Sequence, residues 1–562
     1  MREGSLRLSS VRVIAGISCL LFGAAAWRLG PHSGSDFAAE AQTIEAAKSS
    51  PPASASQAPR LHQVRASVAE VSGAASIPTL KPAPGTEIYT AKRGEAIPTI
   101  ARHYLGKTSY LTSSQLAEAI RHANGDRTGN FLKANEQVII PGILTAPTTE
   151  KSIPVANDFE VRAIYLTGIM AASDHGLRII RQWREVGGNA VVFDIKDSDG
   201  SVAIPFEHPL LGEHKVYIHD VPKFVRFLHQ ENMHAIARIA IFRDELLVTK
   251  HPELAVQSRK NKLAWRENGK LVWTDPSNPK VQDYDIALAK HVSQLGVDEV
   301  QFDYVRFPAE GDQKDAAFVF QEQQADQPEA SAENGSDPGC APEAAPAAAP
   351  EGQKSSDGKK RQAAKGHKAG CSAVAKPHGP QRSDVIAAFL KKAYAELHPT
   401  GVLLSLDVFG VMAWQRQVDL SHTGQDIVQM AKHCDVLSPM IYPSHFFGMD
   451  NIAHPGDEPE HFIGESMARF ELVTKGSGVV IRPWLQAFHW RTKTYSPEYI
   501  KIQVETAKSK GGIGFLFWNA ANDYSKPLAA MPEMKAANAK GKEKYFRGDE
   551  LPVATMKASL TP

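Results

Sequence analysis

From residue 161 onward, short apolar runs alternate with stretches that have helical periodicity, such as 176–186 and 221–231. The apolar runs lie at 161–168, 190–197, 234–242, 299–307, 402–410, 435–443, 479–488 and 512–520. Parallel strands joined by crossover helices have this alternation, and eight such runs predict an α/β fold of the (β/α)8 barrel type over residues 158–540. An open doubly wound sheet is the alternative, but no glycine-rich phosphate turn follows any run.

A different pattern precedes the barrel. Residues 86–143 read as a short strand, two helices and a closing strand. The apolar positions at helical spacing are Ile97, Ile100, Ala101, Tyr104, Leu116 and Ile120. These features predict a small βααβ domain. Residues 43–85 are rich in Ala, Ser and Pro without a hydrophobic period, which predicts a flexible linker.

The first 42 residues have the layout of a targeting segment. Arg2, Arg7 and Arg12 precede an apolar run at 13–27, as in a secretory signal or an amino-terminal anchor in the inner membrane. Both interpretations stay open, and both predict an exported protein in the periplasm, cell envelope or extracellular space. In an oxidising compartment, Cys340 and Cys371 could form a disulfide.

Between the fourth and fifth apolar runs lies an insert, residues 313–382. Its first half is rich in Ala, Glu and Pro and its second half is rich in Lys, which predicts a disordered loop. Binding of an anionic polymer by the basic half is the alternative. Residues 541–562 form a carboxyl-terminal tail.

Charge and composition limit the classes of partner that we expect for this protein. The chain of 562 residues has 63 Lys and Arg against 62 Asp and Glu, a formal net charge of +1, so nothing favours nucleic acid. No metal-type cysteine spacing occurs, and we expect neither a metal nor another cofactor. We expect a monomer.

Barrel enzymes place reactive side chains at the carboxyl ends of their strands. Asp303 and Asp407 stand at the same point of two neighbouring runs, each after apolar residues. Two carboxyls suit glycoside hydrolysis, which needs one protonated donor and one ionised nucleophile or base. We therefore predict Asp303 as nucleophile or base and Asp407 as general acid. The alternative is structural, a buried ion pair with Arg238 or Arg306.

Other strand ends carry aromatic, polar and charged residues that would bind sugar rings and hydroxyls. The predicted substrate-binding residues are Asp194, Lys196, Asp197, Arg238, Tyr304, Arg306, Trp414, Tyr442, His445, Trp484, Gln486, Trp518 and Asn519. Lys196 and Arg306 would also suit an anionic sugar polymer, which stays open as a variant of this hypothesis.

Two family resemblances accompany these patterns. Residues 89–101, Asn124 and residues 132–141 resemble a LysM module, which implies binding of peptidoglycan or chitin. The motifs "LTG", "DIKD", "FDYVRFP", "LDVFG" and "SPMIYPSH" resemble the bacterial glycoside-hydrolase-like barrel family. The resemblance implies a glycoside-hydrolase-like barrel, and together with the LysM resemblance and the amino-terminal segment it leads us to expect an exported enzyme that hydrolyses a cell-wall or extracellular polysaccharide. A non-catalytic glycan-binding scaffold is the alternative.

Overall fold

The computed structural model describes residues 82–325 and 379–539. The predicted signal or anchor, most of the linker, the middle of the insert with Cys340 and Cys371, and the tail lie outside these residues. Within them, no helix combines the length and apolar character needed to cross a bilayer.

The amino-terminal module has its own small core. Its elements are β1 (Thr86–Thr90), α1 (Ile97–Tyr104), α2 (Ser113–Ala123) and β2 (Gln137–Pro141), with β1 and β2 antiparallel. The buried faces of the two helices, with Ile100 and Leu116, pack on Ile140 of β2 in a cluster separate from the barrel core. The module contacts the barrel through polar groups, since Thr112 Oγ1 donates to Asp174 Oδ1 at 2.5 Å and Lys223 Nζ to the Leu105 carbonyl at 3.1 Å.

The predicted barrel is confirmed. Its strands are β3 (Val161–Leu166), β4 (Ala190–Lys196), β5 (His234–Ala240), β6 (Glu299–Asp303), β7 (Leu403–Phe409), β8 (Val436–Ile441), β9 (Val480–Ile481), β10 (Trp484–Gln486) and β11 (Gly514–Trp518). All neighbours are parallel, β11 pairs with β3, and β7 pairs with both β6 and β8, which closes the ring.

The seventh barrel position is a strand broken at Pro483. β9 and β10 both pair with β8, and Pro483 lies between them. Because proline has no main-chain N–H, it cannot donate to the ladder. Its carbonyl still accepts from Leu516 N at 2.9 Å, so the two halves occupy one position in the barrel.

Helices cover the outside of the barrel. The longer ones are α3 (Asp174–Glu185), α4 (Val221–Gln230), α5 (Pro279–Ser293), α6 (Arg382–Leu397), α7 (Pro459–Thr474), α8 (Pro497–Ser509) and α9 (Ser525–Ala539). Shorter helices are Gly168–Ala171, Glu245–Lys250, Val319–Ala325, Gln417–Thr423 and Ile427–Met430. Every residue of β4 is buried, because one face of a barrel strand meets these helices and the other fills the interior.

The prediction that the insert lacks regular structure from residue 313 was wrong at its edges. Ala316–Ala317 pairs with Gln257–Ser258, and the helix Val319–Ala325 follows. At the other edge, Arg382 is the first residue of α6. Two aromatic residues inside the predicted insert, Phe318 and Phe320, supply the packing by contacting Phe307.

Phe318 tests whether this edge belongs to the core. It is buried, and its ring meets the Phe307 ring at 4.9 Å between centroids. We expect Phe318→Ala to lower the free energy of unfolding by about 3 to 5 kcal/mol, because it removes a large buried ring. Chemical denaturation measures the change.

The control is Phe131→Ala, since the Phe131 side chain is 78% exposed and its loss should change stability by less than about 0.5 kcal/mol. Equal stability of the Phe318 and Phe131 variants would show that the edge of the insert is dispensable.

Candidate active site

Four charged residues on four successive strands form the upper inner layer of the barrel. Asp194 of β4 lies opposite Arg238 of β5 in the register, and Phe302 of β6 opposite Leu406 of β7, which sets Asp303 beside Asp407. Side chains alternate between the inside and the outside of a barrel strand. The inward positions at the carboxyl ends of β4 to β7 therefore hold three carboxyls and one guanidinium.

Arg238 joins two of the carboxylates. Its Nη1 donates to Asp194 Oδ1 at 2.5 Å, and its Nη2 and Nε donate to Asp303 Oδ2 at 2.6 and 3.2 Å. The guanidinium also lies over the rings of Tyr165 and Trp518, at 5.6 and 5.3 Å from their centroids. The structural alternative foreseen for Asp303, an ion pair with Arg238, is therefore present.

Asp303 ends its strand in a left-handed turn. Its Oδ1 accepts from the main-chain N of Tyr304 at 2.6 Å, and Tyr304 has φ of 54°. A non-glycine residue in this region is uncommon and costs conformational energy. The turn brings the Tyr304 ring to the mouth of the barrel beside the carboxylate.

Asp407 has different surroundings. Its exposure is 1%, and its Oδ1 accepts from the indole Nε1 of Trp484 at 2.7 Å. Burial raises the pKa of Asp407 well above its usual range, and the negative charge of Asp303 raises it further. Asp407 thus favours its protonated form more than a solvent-exposed aspartate does, whereas Asp303 has a cationic partner.

Asp194 is a third carboxyl with an altered pKa. Burial raises its pKa to about 7, against the opposing effect of Arg238. The Tyr165 hydroxyl donates to Asp194 Oδ2, and the Tyr165 ring stacks on Trp518 with centroids 4.2 Å apart. Asp194 thus helps to fix the position of Arg238, because it accepts a hydrogen bond from Arg238 Nη1.

These groups border a cleft at the mouth of the barrel that spans about 500 Å³, part of it open to solvent. The lining residues are Arg238, Asp303, Tyr304, Arg306, Asp407, Phe409, Gln425, Met440, Tyr442, Trp484 and Trp518. Eight of them are among the residues predicted from the sequence. Aromatic rings and buried charges together suit a ligand with apolar faces and polar edges, such as a sugar.

A comparison with known families assigns the barrel. Residues 163–524 match the family described as "Putative glycosyl hydrolase domain". The chain belongs to this family. Its barrel is thus a glycoside-hydrolase-like domain, in agreement with the resemblance of the sequence motifs.

Solved structures with similar folds include several glycoside hydrolases. The PgaB (BpsB) glycoside hydrolase domain from Bordetella bronchiseptica has 12% identity, with 67% of this chain and 98% of that chain covered and a TM-score of 0.43. The spore cortex-lytic enzyme SleL from Bacillus megaterium QM B1551 has 10% identity, coverages of 79% and 85%, and a TM-score of 0.35. A hypothetical protein from Ruminiclostridium thermocellum ATCC 27405 has 29% identity, coverages of 44% and 97%, and a TM-score of 0.31. No curated protein matches the chain.

In this glycosyl hydrolase domain, some predicted residues lie away from the cleft. Lys196 is fully buried, and its Nζ pairs with Asp244 Oδ2 at 2.9 Å and Asp285 Oδ1 at 2.8 Å. The structure therefore places Lys196 in an ion network and not at the cleft. Asp197 lies in the turn after β4, where its Oδ1 accepts from Ser198 N at 2.5 Å.

The side-chain amides of Gln486 and Asn519 hold loops together. Gln486 Nε2 donates to the Phe488 carbonyl at 3.0 Å, and its Oε1 accepts from Ser444 N at 3.2 Å. Asn519 Nδ2 donates to the carbonyls of Ala487 and Asp523, at 2.6 and 2.9 Å. Neither residue lines the cleft of this domain, so a position at a strand end was not sufficient to predict a substrate-binding residue.

Trp414 and His445 also lie outside the cleft lining. Trp414 packs on Phe446 and beneath Arg469. His445 is buried next to Trp490, and burial lowers its pKa to about 3, so its ring is neutral at physiological pH.

The sequence analysis missed four residues of the site. Tyr165, Phe409 and Met440 are apolar or aromatic strand residues, and Gln425 comes from the segment after β7, where its Oε1 accepts from Phe409 N at 3.2 Å. The alternation of inward residues along β3 could have indicated Tyr165, whereas nothing in the sequence marks Gln425. Across residues 82–325 and 379–539, no group of three or more His, Cys, Asp or Glu side chains is placed to hold a metal ion.

The unlike surroundings of the two aspartates predict unlike pH effects on stability. The unfolded pKa of Asp is about 4, so above pH 4 the unfolded chain releases a proton that folded Asp407 retains. Stability then falls as pH rises, by up to about 1.4 kcal/mol per pH unit, until the folded pKa is reached. Asn does not titrate, so we expect the stability of Asp407→Asn relative to wild type to grow from pH 4 to 7, measured by urea denaturation.

The comparison variant is Asp303→Asn. It leaves Arg238 with Asp194 alone and should cost about 3 kcal/mol of stability at neutral pH. A stability difference between wild type and Asp407→Asn that does not change from pH 4 to 7 would contradict the raised pKa of Asp407.

Proposed function

We propose that this protein is an exported enzyme that hydrolyses glycosidic bonds in a cell-wall or extracellular polysaccharide, with Asp303 and Asp407 as its catalytic pair. The observation that carries the proposal is that two neighbouring carboxyls have different surroundings. Asp303 is held by a guanidinium, while neighbouring Asp407 is buried against an indole N–H and has a pKa raised by burial. Carboxyls whose environments separate their protonation states are the requirement of glycoside hydrolysis.

The catalytic roles of the two aspartates follow from these different surroundings. Asp407 donates its proton to the glycosidic oxygen as the bond to the leaving sugar breaks. Asp303, the member paired with Arg238, attacks the anomeric carbon or removes a proton from the attacking water. Arg238 fixes the position of Asp303, and Trp484 fixes that of Asp407.

Aromatic side chains supply the binding surface. Trp518 is partly exposed, and its ring is stacked on Tyr165, which holds it in one orientation at the cleft. Tyr304 is partly exposed on the other side of Asp303. Rings of this kind stack on the apolar faces of sugars, so the chain of the substrate would run across the mouth of the barrel.

The amino-terminal module supports the cell-envelope assignment. It resembles LysM modules, which bind peptidoglycan or chitin, and the apolar segment at 13–27 fits export with or without an anchor. The module would hold the enzyme at its polymer and raise the local concentration of the barrel there. In this proposal the protein acts in the periplasm, envelope or extracellular space.

Hydrolysis is tested by the release of reducing ends from purified peptidoglycan and from a panel of neutral and acidic polysaccharides. On a substrate that the wild type cleaves, we expect Asp303→Asn to lower kcat by at least about 1,000-fold, because the negative charge needed at the anomeric carbon is gone. Asp407→Asn should be similarly impaired but recover partly on aryl glycosides, whose leaving groups need less protonation.

Asp220→Asn is the matched control, because Asp220 caps α4 away from the cleft and Asn caps helices equally well. Full activity of Asp303→Asn would disprove the catalytic assignment. Glycan binding without hydrolysis of any substrate would favour the alternative of a binding scaffold.

The module is tested by a pull-down of residues 82–147 and of the full chain on insoluble peptidoglycan and chitin. The fragment contains a complete hydrophobic cluster, so we expect it to fold and to sediment with one of the polymers. A folded fragment that stays in solution with both polymers would reduce the module to a spacer and leave the barrel proposal unaffected.

A further inference from the structure

A second arginine borders the cleft without a carboxylate partner. Arg306 is 6% exposed, lines the same cleft as Asp303 and Asp407, and lies between the rings of Trp273 and Phe409, each 4.5 Å from its guanidinium carbon. Its Nη1 donates to the Phe307 carbonyl at 3.1 Å. Among the described residues, no Asp or Glu oxygen lies within 4 Å of its nitrogen atoms, and Nε and Nη2 donate no hydrogen bond to protein.

Three other buried cations of the barrel domain, unlike Arg306, have carboxylate partners. Arg238 holds two carboxylates, Lys196 holds two, and Arg482 holds Glu299 at 2.8 Å. A buried charge without a counter-charge is costly, and burial accordingly lowers the pKa of Arg306.

Glu267 is the acid with the largest electrostatic effect on Arg306, but its oxygens are already used. Its Oε2 accepts from Trp273 Nε1 at 2.9 Å, and its Oε1 accepts from the main-chain nitrogens of Ala309 and Glu310 at 2.9 and 2.8 Å. Glu267 therefore offsets part of the positive charge without binding the guanidinium.

A further guanidinium stands on the other side of Tyr304. Arg243 Nη1 donates to the Tyr304 hydroxyl at 3.0 Å, and the Tyr304 ring lies 5.2 Å from the Arg243 carbon and 5.7 Å from the Arg306 carbon. Arg243 likewise has no ion pair within the described part of the chain. Together these two arginines make the Tyr304 side of the cleft positive, next to the proposed catalytic carboxylate.

We infer that the cleft binds a sugar that carries a carboxylate, with Arg306 as the residue that receives it. This inference rests on the proposed function and specifies its substrate class as an acidic glycan. A guanidinium binds a carboxylate through two parallel hydrogen bonds, and the open Nε and Nη2 edge of Arg306 is free for such a pair. A neutral sugar would leave this buried cation without a counter-charge. The carboxylate can belong to a hexuronic acid or to the lactyl group of a muramic acid.

The test is a titration of the full chain with sugars, monitored by tryptophan fluorescence. This signal reports on the site because Trp273 contacts Arg306, while Trp484 and Trp518 line the cleft. The probes are pairs that differ in charge: methyl glucuronoside and methyl glucoside, methyl galacturonoside and methyl galactoside, and N-acetylmuramic acid and N-acetylglucosamine. We expect the acid of at least one pair to bind about tenfold or more tightly than its neutral counterpart. The pair that responds distinguishes a uronic acid from a lactyl carboxylate.

Arg306→Gln should abolish this preference. Arg306→Lys keeps the charge but loses the parallel donors of the guanidinium, so it should retain only part of the preference. The control is Arg382→Gln. Arg382 is a partly buried arginine whose guanidinium lies over two rings, Phe307 and Phe318, but it lies outside the cleft, so the preference should persist. Thermal unfolding verifies that each variant is folded. If Arg306→Gln is not folded, the binding preference of Arg306→Lys decides the test.

Equal binding of acid and neutral sugars by the wild type, or an unchanged preference in both Arg306 variants, overturns the inference. If neutral sugars bind and Asp303-dependent hydrolysis is observed, the proposed function stands without it. If no sugar of any pair binds, that result counts against both.

Discussion

The ion pair network of Arg238 is the interaction on which the rest of the site depends. One buried guanidinium joins Asp194 of β4 to Asp303 of β6, across the strand that carries it. Each of the three charges would be costly alone in the barrel interior, and the guanidinium offsets part of the cost of both carboxylates. Stability and the position of the proposed nucleophile or base are thus set by the same group.

The network also determines the state of Asp407. Because Arg238 binds Asp303 and Asp194 but donates no hydrogen bond to Asp407, Asp303 remains a nearby negative charge that raises the pKa of Asp407. Burial is the larger cause and also raises the pKa, whereas the hydrogen bond from Trp484 opposes both effects. Two identical side chains on neighbouring strands therefore have different electrostatic surroundings, which is the physical basis for assigning them different roles.

The lower end of the same barrel shows the contrasting case. Glu299 is buried and accepts from Arg482 Nη1 at 2.9 and 2.8 Å, with His234 Nε2 3.1 Å away. Although burial opposes ionisation, these partners lower the pKa of Glu299 to about 2. This carboxylate is saturated by its neighbours and closed off from solvent, so it stabilises the barrel, whereas the upper layer opens into a cleft and retains unpaired Arg306.

The sequence by itself determined the barrel and the two aspartates. Strands that are buried on both faces leave long apolar runs, and a bare carboxylate at the end of such a run, as in "VQFDYVRF", is conspicuous because its desolvation must be offset. Only the tertiary structure decided which polar side chains serve the cleft. Lys196, Gln486 and Asn519 stand at strand ends but are bound by other parts of the protein. The reason is that these partners are distant along the chain: Arg238 meets Asp303 65 residues away, and Asp407 meets Trp484 77 residues away. A periodic pattern indicates which face a side chain occupies, whereas its hydrogen-bond partner depends on the closure of the barrel.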